Sequence, residues 1–170
     1  MKFYISDTHF FHENIIRING RPYSSVEEMN GDMIKRWNIK VGPNDEVYFL
    51  GDFAFRYPNM KVVYDVLDKL NGKKYFIKGN HDKTLKDIKF RSYFEWVKDY
   101  AEIDDNGRFV ILMHYPLEDW NGRYRNSYHL FGHIHNNYYD VRADIPRRFN
   151  VGVDVNNYEP KTLDELIQYK

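Results

Sequence analysis

Five short motifs carry most of the residues in this chain that could do chemistry. Asp7-Thr8-His9 follows the first apolar run, Gly51-Asp52 the second, and Gly79-Asn80-His81-Asp82 the third. His114 closes a fourth run and Gly132-His133-Ile134-His135 a fifth, so five of the seven histidines lie at such exits. Each run has the length of a buried strand bounded by turn residues, and ends of strands are where an α/β fold gathers its functional side chains. Carboxylate, amide and imidazole donors converging there would make a metal site. The donors are Asp7, His9, Asp52, Asn80, His114, His133 and His135, seven in all, too many for one tetrahedral ion. Two ions sharing the Asp52 carboxylate account for the surplus.

Two ions about 3.5–4 Å apart suit phosphoester hydrolysis, because they lower the pKa of a shared water and neutralise charge on the phosphoryl oxygens. The leaving group still needs a proton. His81, next to Asn80, is the candidate general acid, and Asp82 the group that would orient its imidazole. Asp7 and His9 lie two apart, as do His133 and His135. In extended backbone such pairs point the same way, so each pair could serve one ion.

The elements that must position these groups are legible in the hydrophobic pattern. Residues 2–6, 46–50 and 74–78 read as buried strands. Residues 24–40 read as a helix, with a capping box in Ser25-Val-Glu-Glu28 and with Met29, Met33, Ile34 and Trp37 at helical spacing. Residues 60–70 read as a second helix, with Val63, Val66, Leu67 and Leu70 on one face and Asn71-Gly72 as its stop. This alternation predicts a largely parallel sheet. In the second half, residues 100–103 and 108–113 flank the hairpin turn Asp104-Asp105-Asn106-Gly107. Residues 128–131 and 149–155 read as strands, and Thr162-Leu-Asp-Glu165 opens a last helix. No linker or repeat interrupts residues 1–170, which predicts a single α/β sandwich domain with mixed sheets.

Composition narrows the function classes. With 25 basic and 25 acidic side chains, the chain lacks the charge excess of a dedicated nucleic-acid binder. The absence of cysteine excludes disulfides, thiolate catalysis and cysteine-type zinc sites, and fits a reducing cytoplasm. Met1-Lys2-Phe3-Tyr4-Ile5-Ser6 is too short for a signal peptide, and no apolar stretch approaches the roughly 18 residues needed to span a bilayer. The expectation is a soluble cytoplasmic protein with no membrane partner.

The ordered set of Asp7-x-His9, Gly51-Asp52, Gly79-Asn80-His81-Asp82, His114 and Gly132-His133-x-His135 resembles the calcineurin-like metallophosphoesterases, in particular their small members from bacteria and phages. The resemblance implies a four-layer α/β sandwich with two mixed β-sheets flanked by helices. It implies that Asp7, His9 and His135 hold one metal, that Asp52 bridges, and that Asn80, His114 and His133 complete the other. It also implies His81 as general acid and Asp82 as its partner. The expected cofactors are two divalent transition-metal ions, manganese first, with iron, zinc, nickel and cobalt compatible with the same donors. One departure stands out. Where the family often shows a further acidic or amide residue after Gly-Asp, this chain has Phe53-Ala54-Phe55-Arg56, an apolar rim with one cation.

The expected activity is therefore that of a metal-dependent phosphoesterase. A phosphodiesterase is favoured because an apolar rim at Phe53 and Phe55 could accept a second organic substituent. A nuclease or nucleotide pyrophosphatase on the same centre, or a non-catalytic scaffold on this fold, are the alternatives, and the retention of every ligand and of His81 weighs against the last. The expected substrate is a small phosphoester or nucleotide. Arg56 is the candidate phosphate clamp and His12 a candidate substrate contact. Arg142, Arg147 and Arg148 form a basic cluster that could border a nucleic acid. Tyr115, Trp120, Tyr124 and Tyr128 lie in a stretch that could cover the site. Arg17 and Arg21 could reach a phosphate or serve in salt bridges.

Overall fold

Strands buried on both faces, alternating with helices that have one apolar stripe, pack as a parallel sheet with helices against it. The computed structural model describes residues 1–137 and 145–168. Strands β1 (Lys2–Ile5), β2 (Glu46–Phe49), β3 (Lys73–Ile77) and β4 (Val97–Lys98) form one sheet in that order, parallel throughout. Strands β5 (Tyr100–Asp105), β6 (Arg108–Met113), β7 (Tyr128–Phe131) and β8 (Arg148–Asn150) form a second. Here β5 and β6 make the predicted antiparallel hairpin, and β6, β7 and β8 run parallel, so this sheet is mixed.

The helices are α1 (Glu13–Ile18), α2 (Val26–Lys40), α3 (Met60–Leu67), α4 (Ile88–Arg91) and α5 (Leu163–Gln168). Helix α2 starts as its sequence predicts, with the Glu28 amide donating to Ser25 Oγ at 3.1 Å. The return bond of the capping box is shifted by one residue, since the Glu28 carboxylate takes the Ser24 amide. Helix α3 ends three residues before the predicted stop. The Lys69 and Leu70 amides there turn to carbonyls three residues back, which tightens the last turn. No helix among the described residues is long and apolar enough to cross a membrane.

Alternation along the strands divides the interior into layers. Phe3, Ile5, Phe49 and Phe76 face α2, α3 and α4, where they meet Met29, Met33, Trp37, Val63 and Phe90. Tyr4, Tyr48, Leu50 and Ile77 face the other way and pack on Val110, Leu112, Leu130 and Val151 of the second sheet. The outer face of that sheet is covered at Ile111 by Leu117, Trp120 and Ile145.

The strand predicted over residues 149–155 is cut short. Beyond Asn150 the chain leaves β8 and bonds to the end of β1, the Ser6 amide donating to Val151 O and the Val153 amide to Ser6 O, both at 3.1 Å. Asn150 Oδ1 accepts the Gly152 amide at 2.8 Å, and residues 153–155 then wind into a 3₁₀ turn. This crossing stitches the two sheets together at the carboxyl ends of β1 and β7.

Phe76 lies at the centre of the aromatic packing behind the site, 4.7 Å from the Phe94 ring and 5.4 Å from that of Phe49. Phe76→Ala is expected to lower the unfolding free energy by about 3–5 kcal/mol in a denaturant titration. A loss under 1 kcal/mol, on the order of a surface substitution, would contradict this packing.

Candidate metal centre

Backbone pairing draws the strand-end loops together. The loop after β1 runs beside the loop after β2, with the Asp7, His9 and Phe10 amides donating to Gly51, Asp52 and Phe53 carbonyls at 2.9–3.0 Å. The loop after β3 joins them through Asp82. One of its carboxylate oxygens accepts the Asp52 amide at 2.8 Å and the Gly79 amide at 2.6 Å, and the other accepts the Phe53 amide at 3.0 Å. A Cβ on Gly79 would stand 2.3 Å from Asp52 Oδ1, and one on Gly132 would stand 2.4 Å from Asp7 Oδ2. Glycine is required at both positions by this close approach.

The donors do converge, but not through extended backbone. Asp7, His9, Asp52, His133 and His135 all have positive φ, between 47° and 72°. For residues with a Cβ this conformation costs on the order of 1 kcal/mol each. The alternation rule applied to Asp7-x-His9 and His133-x-His135 therefore gives the right partners for a reason that does not hold. Left-handed turns aim these side chains inward.

Donor atoms of Asp7, His9 and His135 lie within 4.8 Å of one another, as do those of Asp7, Asp52 and His114. Asp52 Oδ2 lies 3.5 Å from His9 Nε2 and 3.6 Å from His114 Nε2. Asn80 Oδ1 is 2.9 Å from both His114 Nε2 and His133 Nδ1. All seven predicted ligands are thus in one cluster, with Asp52 between its two ends.

The chemistry of this donor set fits divalent cations. Asp7 is fully buried; its Oδ2 accepts Ser6 Oγ–H and the His133 amide, while Oδ1 has no hydrogen-bond partner. Neither ring nitrogen of His9 has one. His114 Nδ1 lies 2.7 Å from Leu50 O, a contact that requires the proton on Nδ1. With Nδ1 committed in this way, His114 Nε2 is the nitrogen turned to the Asn80 carbonyl oxygen, a contact of two lone-pair donors unless a proton or a cation stands between them. Likewise His135 Nδ1–H donates to Asp154 Oδ2 at 2.8 Å, which leaves Nε2 as its ligating nitrogen. A cation taking these lone pairs resolves each conflict.

Ionisation follows the same logic. Burial raises the Asp7 carboxyl above its ordinary range, and burial pushes His9 down to about 2, with His135 and Arg21 adding to the effect. Burial also lowers His133. His135 goes the other way: burial opposes its charge, but the hydrogen bond to Asp154 and the charges of Asp7 and Asp154 together outweigh it. Burial thus favours the ligating, neutral form of His9 and His133, and the raised Asp7 carboxyl lacks the positive charge that a metal would bring.

Two supporting residues lie behind this cluster. Arg21, 4% exposed, donates through Nε and Nη2 to both Asp154 oxygens at 2.8 and 3.1 Å. It also donates to the Thr8 and Asp7 carbonyls at 2.8 Å. Arg21 therefore forms a salt bridge and does not face a phosphate. Asp154 was not among the sequence candidates. Its signal is a lone carboxylate in the apolar run Val151-Gly152-Val153-Asp154-Val155.

The remaining candidates divide. His81 is exposed at the mouth, its ring 5.7 Å from His9 and 5.0 Å from Phe55, and its amide donates to Asp52 Oδ1 at 2.8 Å. Asp82 does not orient that imidazole, because both of its oxygens are committed to backbone amides. His12 packs 4.8 Å from Phe55, and burial, helped by Arg56, lowers its pKa to about 4. Arg56 is exposed on the same rim, its guanidinium 5.7 Å from the Phe55 ring centre. Phe53 is not on the rim: at 1% exposure it belongs to the core, packed on Phe10 and Phe49.

Of the aromatic set after β6, Tyr115 alone is seen beside the donors, 4.7 Å from the His133 ring. Trp120 is buried under the second sheet, Tyr128 packs on Phe149, and Tyr124 is 84% exposed beside Arg123. The basic cluster is no open rim either. Arg148 is buried over the Phe131 ring and Arg147 bonds to the Arg123 carbonyl. Arg142 lies outside the described residues.

Residues 1–161 match the family model of the calcineurin-like phosphoesterase superfamily domain. The chain belongs to this superfamily. It is 41% identical over 167 residues to an uncharacterised protein of Methanocaldococcus jannaschii, covering 96% of this chain and 88% of that one. It is 27% identical to the gene 66 protein of Mycobacterium phage L5, over 89% of this chain and 85% of that protein. Among solved structures it is similar to a protein of unknown function from Aquifex aeolicus, with 28% identity, a TM-score of 0.79, and coverage of 100% of this chain and 99% of the other. Family membership and the donor cluster together identify a metal-dependent phosphoesterase fold and site.

Asp154→Asn removes the Arg21 ion pair and the anionic acceptor behind His135. Metal affinity, measured by titrating the metal-stripped protein, is expected to fall about 10- to 100-fold. Unchanged affinity would contradict a role for Asp154 behind the ligand.

Proposed function

We propose that this protein hydrolyses phosphodiesters at a dinuclear centre, with manganese as the working pair of ions. The observation that carries this reading is the position of Asp52 Oδ2, about equidistant from His9 and His114 at 3.5 and 3.6 Å. In this reading Asp7, His9 and His135 would hold one ion, and Asn80, His114 and His133 the other, with Asp7 also within 4.8 Å of the His114 donor atom. The bound ions would supply an activated water nucleophile and neutralise charge on the phosphoryl oxygens.

The chain's own groups would do the rest. Asp52 Oδ1 holds the His81 amide, which fixes the start of that side chain at the rim. The exposed imidazole can then donate its proton to the departing ester oxygen. Arg56 offers a guanidinium to a phosphoryl oxygen from the Phe55 side.

Support for a diester comes from two aromatic walls. Phe55 stands by His9 and His81 at one end of the donor cluster, and Tyr115 by His114 and His133 at the other. An ester with an organic group on each side of phosphorus can bury both. The substrate we favour is a small phosphodiester or nucleotide.

Metal-stripped wild type, Asp52→Asn and His81→Ala are to be titrated with manganese against an aryl phosphodiester, an aryl phosphomonoester and an alkyl diester. Wild type is expected to turn over the aryl diester fastest, and Asp52→Asn to lose manganese-dependent turnover. His81→Ala should lose about 10²- to 10⁴-fold on the alkyl diester, whose leaving group needs a proton, and far less on the aryl ester. Faster monoester turnover would overturn the diester assignment. No turnover despite stoichiometric metal would overturn the hydrolase itself.

A further inference from the structure

A second feature adjoins the metal centre and is used by none of the chemistry above. A cleft of about 460 Å³ opens where β3 ends, bounded by Gly79, Asn80 and Asp82 on the centre's side. Its other walls come from the 3₁₀ turn Lys83–Lys86, from Arg91 of α4 and from Val97, Lys98 and Asp99. Asn80 thus belongs to both the cleft and the donor cluster.

The cleft is strongly cationic in a chain of zero formal charge. Lys78, Lys83, Lys86, Arg91 and Lys98 line it, and they come from four separate elements and loops. Its two acids do not cancel them. The Asp82 carboxylate is buried and turned onto backbone amides, and Asp99 pairs with Lys78 at 3.7 Å. Lys98 lies 4.9 Å from the Trp96 ring centre. Lys83, Lys86 and Arg91 have no carboxylate partner among the described residues and are exposed. Like charges gathered in a concave surface repel one another and raise the local potential for anions. Ammonium groups and a guanidinium are the usual protein partners of phosphate oxygens.

We infer that this cleft holds a second phosphate of the substrate while the first reacts at the metal centre. The preferred substrates are then compounds with more than one phosphate, either successive phosphates along a nucleic-acid strand or a phosphate chain in a nucleotide. The substrate arm of this inference rests on the phosphodiesterase reading; the binding arm does not.

The test uses a Lys83→Gln, Lys86→Gln, Arg91→Gln variant. A control, Lys35→Gln, Lys61→Gln, Lys69→Gln, loses the same charge elsewhere. Bis(p-nitrophenyl) phosphate is the substrate with one phosphate; a short oligothymidylate and a dinucleoside polyphosphate carry several. In the cleft variant KM for one or both of the latter is expected to rise about tenfold, equivalent to about 1.4 kcal/mol. Its kcat, and both constants for the single-phosphate ester, should stay within about twofold, a change of under 0.5 kcal/mol. Which multiphosphate substrate responds identifies the source of the second phosphate.

Calorimetric binding of inorganic pyrophosphate to the metal-stripped protein is measured alongside. Binding lost in the cleft variant and kept in the control supports the site even if no ester is hydrolysed, a result that would sink the hydrolase reading alone. Unchanged KM and unchanged pyrophosphate binding, or equal losses in the control, would overturn the inference.

Discussion

Buried polar atoms that lack partners within the protein govern how this fold is built around its strand ends. Asp7 Oδ1 and both nitrogens of His9 are buried with no hydrogen-bond partner, and His114, its Nδ1 held by Leu50 O, turns Nε2 to the Asn80 carbonyl. Such a cluster opposes folding on its own. Desolvating carboxylates and imidazoles is costly, and five of the donors also sit in left-handed backbone. The surrounding residues hold it by over-determining the loops. Asp82 takes three amides from two loops, and Arg21 holds the Asp7 and Thr8 carbonyls while pairing with Asp154. The energy stored this way is what a divalent ion can return on binding.

The two sheets have different tasks in this arrangement. The parallel sheet is wedged between two apolar layers and delivers Asp7, Asp52 and Asn80 from three neighbouring strands. The mixed sheet delivers His114, His133 and His135 from β6 and β7. The seam where Ser6 exchanges hydrogen bonds with Val151 and Val153 brings the two sets to one place and carries Asp154 in behind them. Val151 and Val153 belong to the two core layers on either side of the parallel sheet, so the seam is anchored in both.

Much of this was legible in the sequence, because buried strands and their exits leave strong local signals. The runs at 2–6, 46–50 and 74–78, the hairpin and the capping box at Thr162 fall where their patterns place them, and the box at Ser25 forms with its return bond one residue early. Short elements did not announce themselves: α1, α4 and the two-residue β4 have too few residues for a period to show. All seven donors were named from their spacing and come together. Extended chain is not what makes them converge, since left-handed turn backbone aims five of them inward. Side-chain roles one step removed from the donors were least legible. Adjacency in sequence suggests Asp82 as a partner for His81, but amides of its own loop and of the loop after β2 take both of its oxygens. Phe53 looked like rim and is core, since alternation cannot be judged in a four-residue stretch. Arg21 and Asp154 lie 133 positions apart, and the cations of the cleft come from scattered elements, so neither group forms a sequence pattern.

The central claim is that this donor cluster binds two ions that share Asp52. Anomalous diffraction from crystals grown with manganese tests it most directly. The account predicts two manganese ions per chain, one among Asp7, His9 and His135 and the other among Asn80, His114 and His133, both in contact with the Asp52 carboxylate. A single ion at saturating manganese, or ions bound without Asp52, would contradict it.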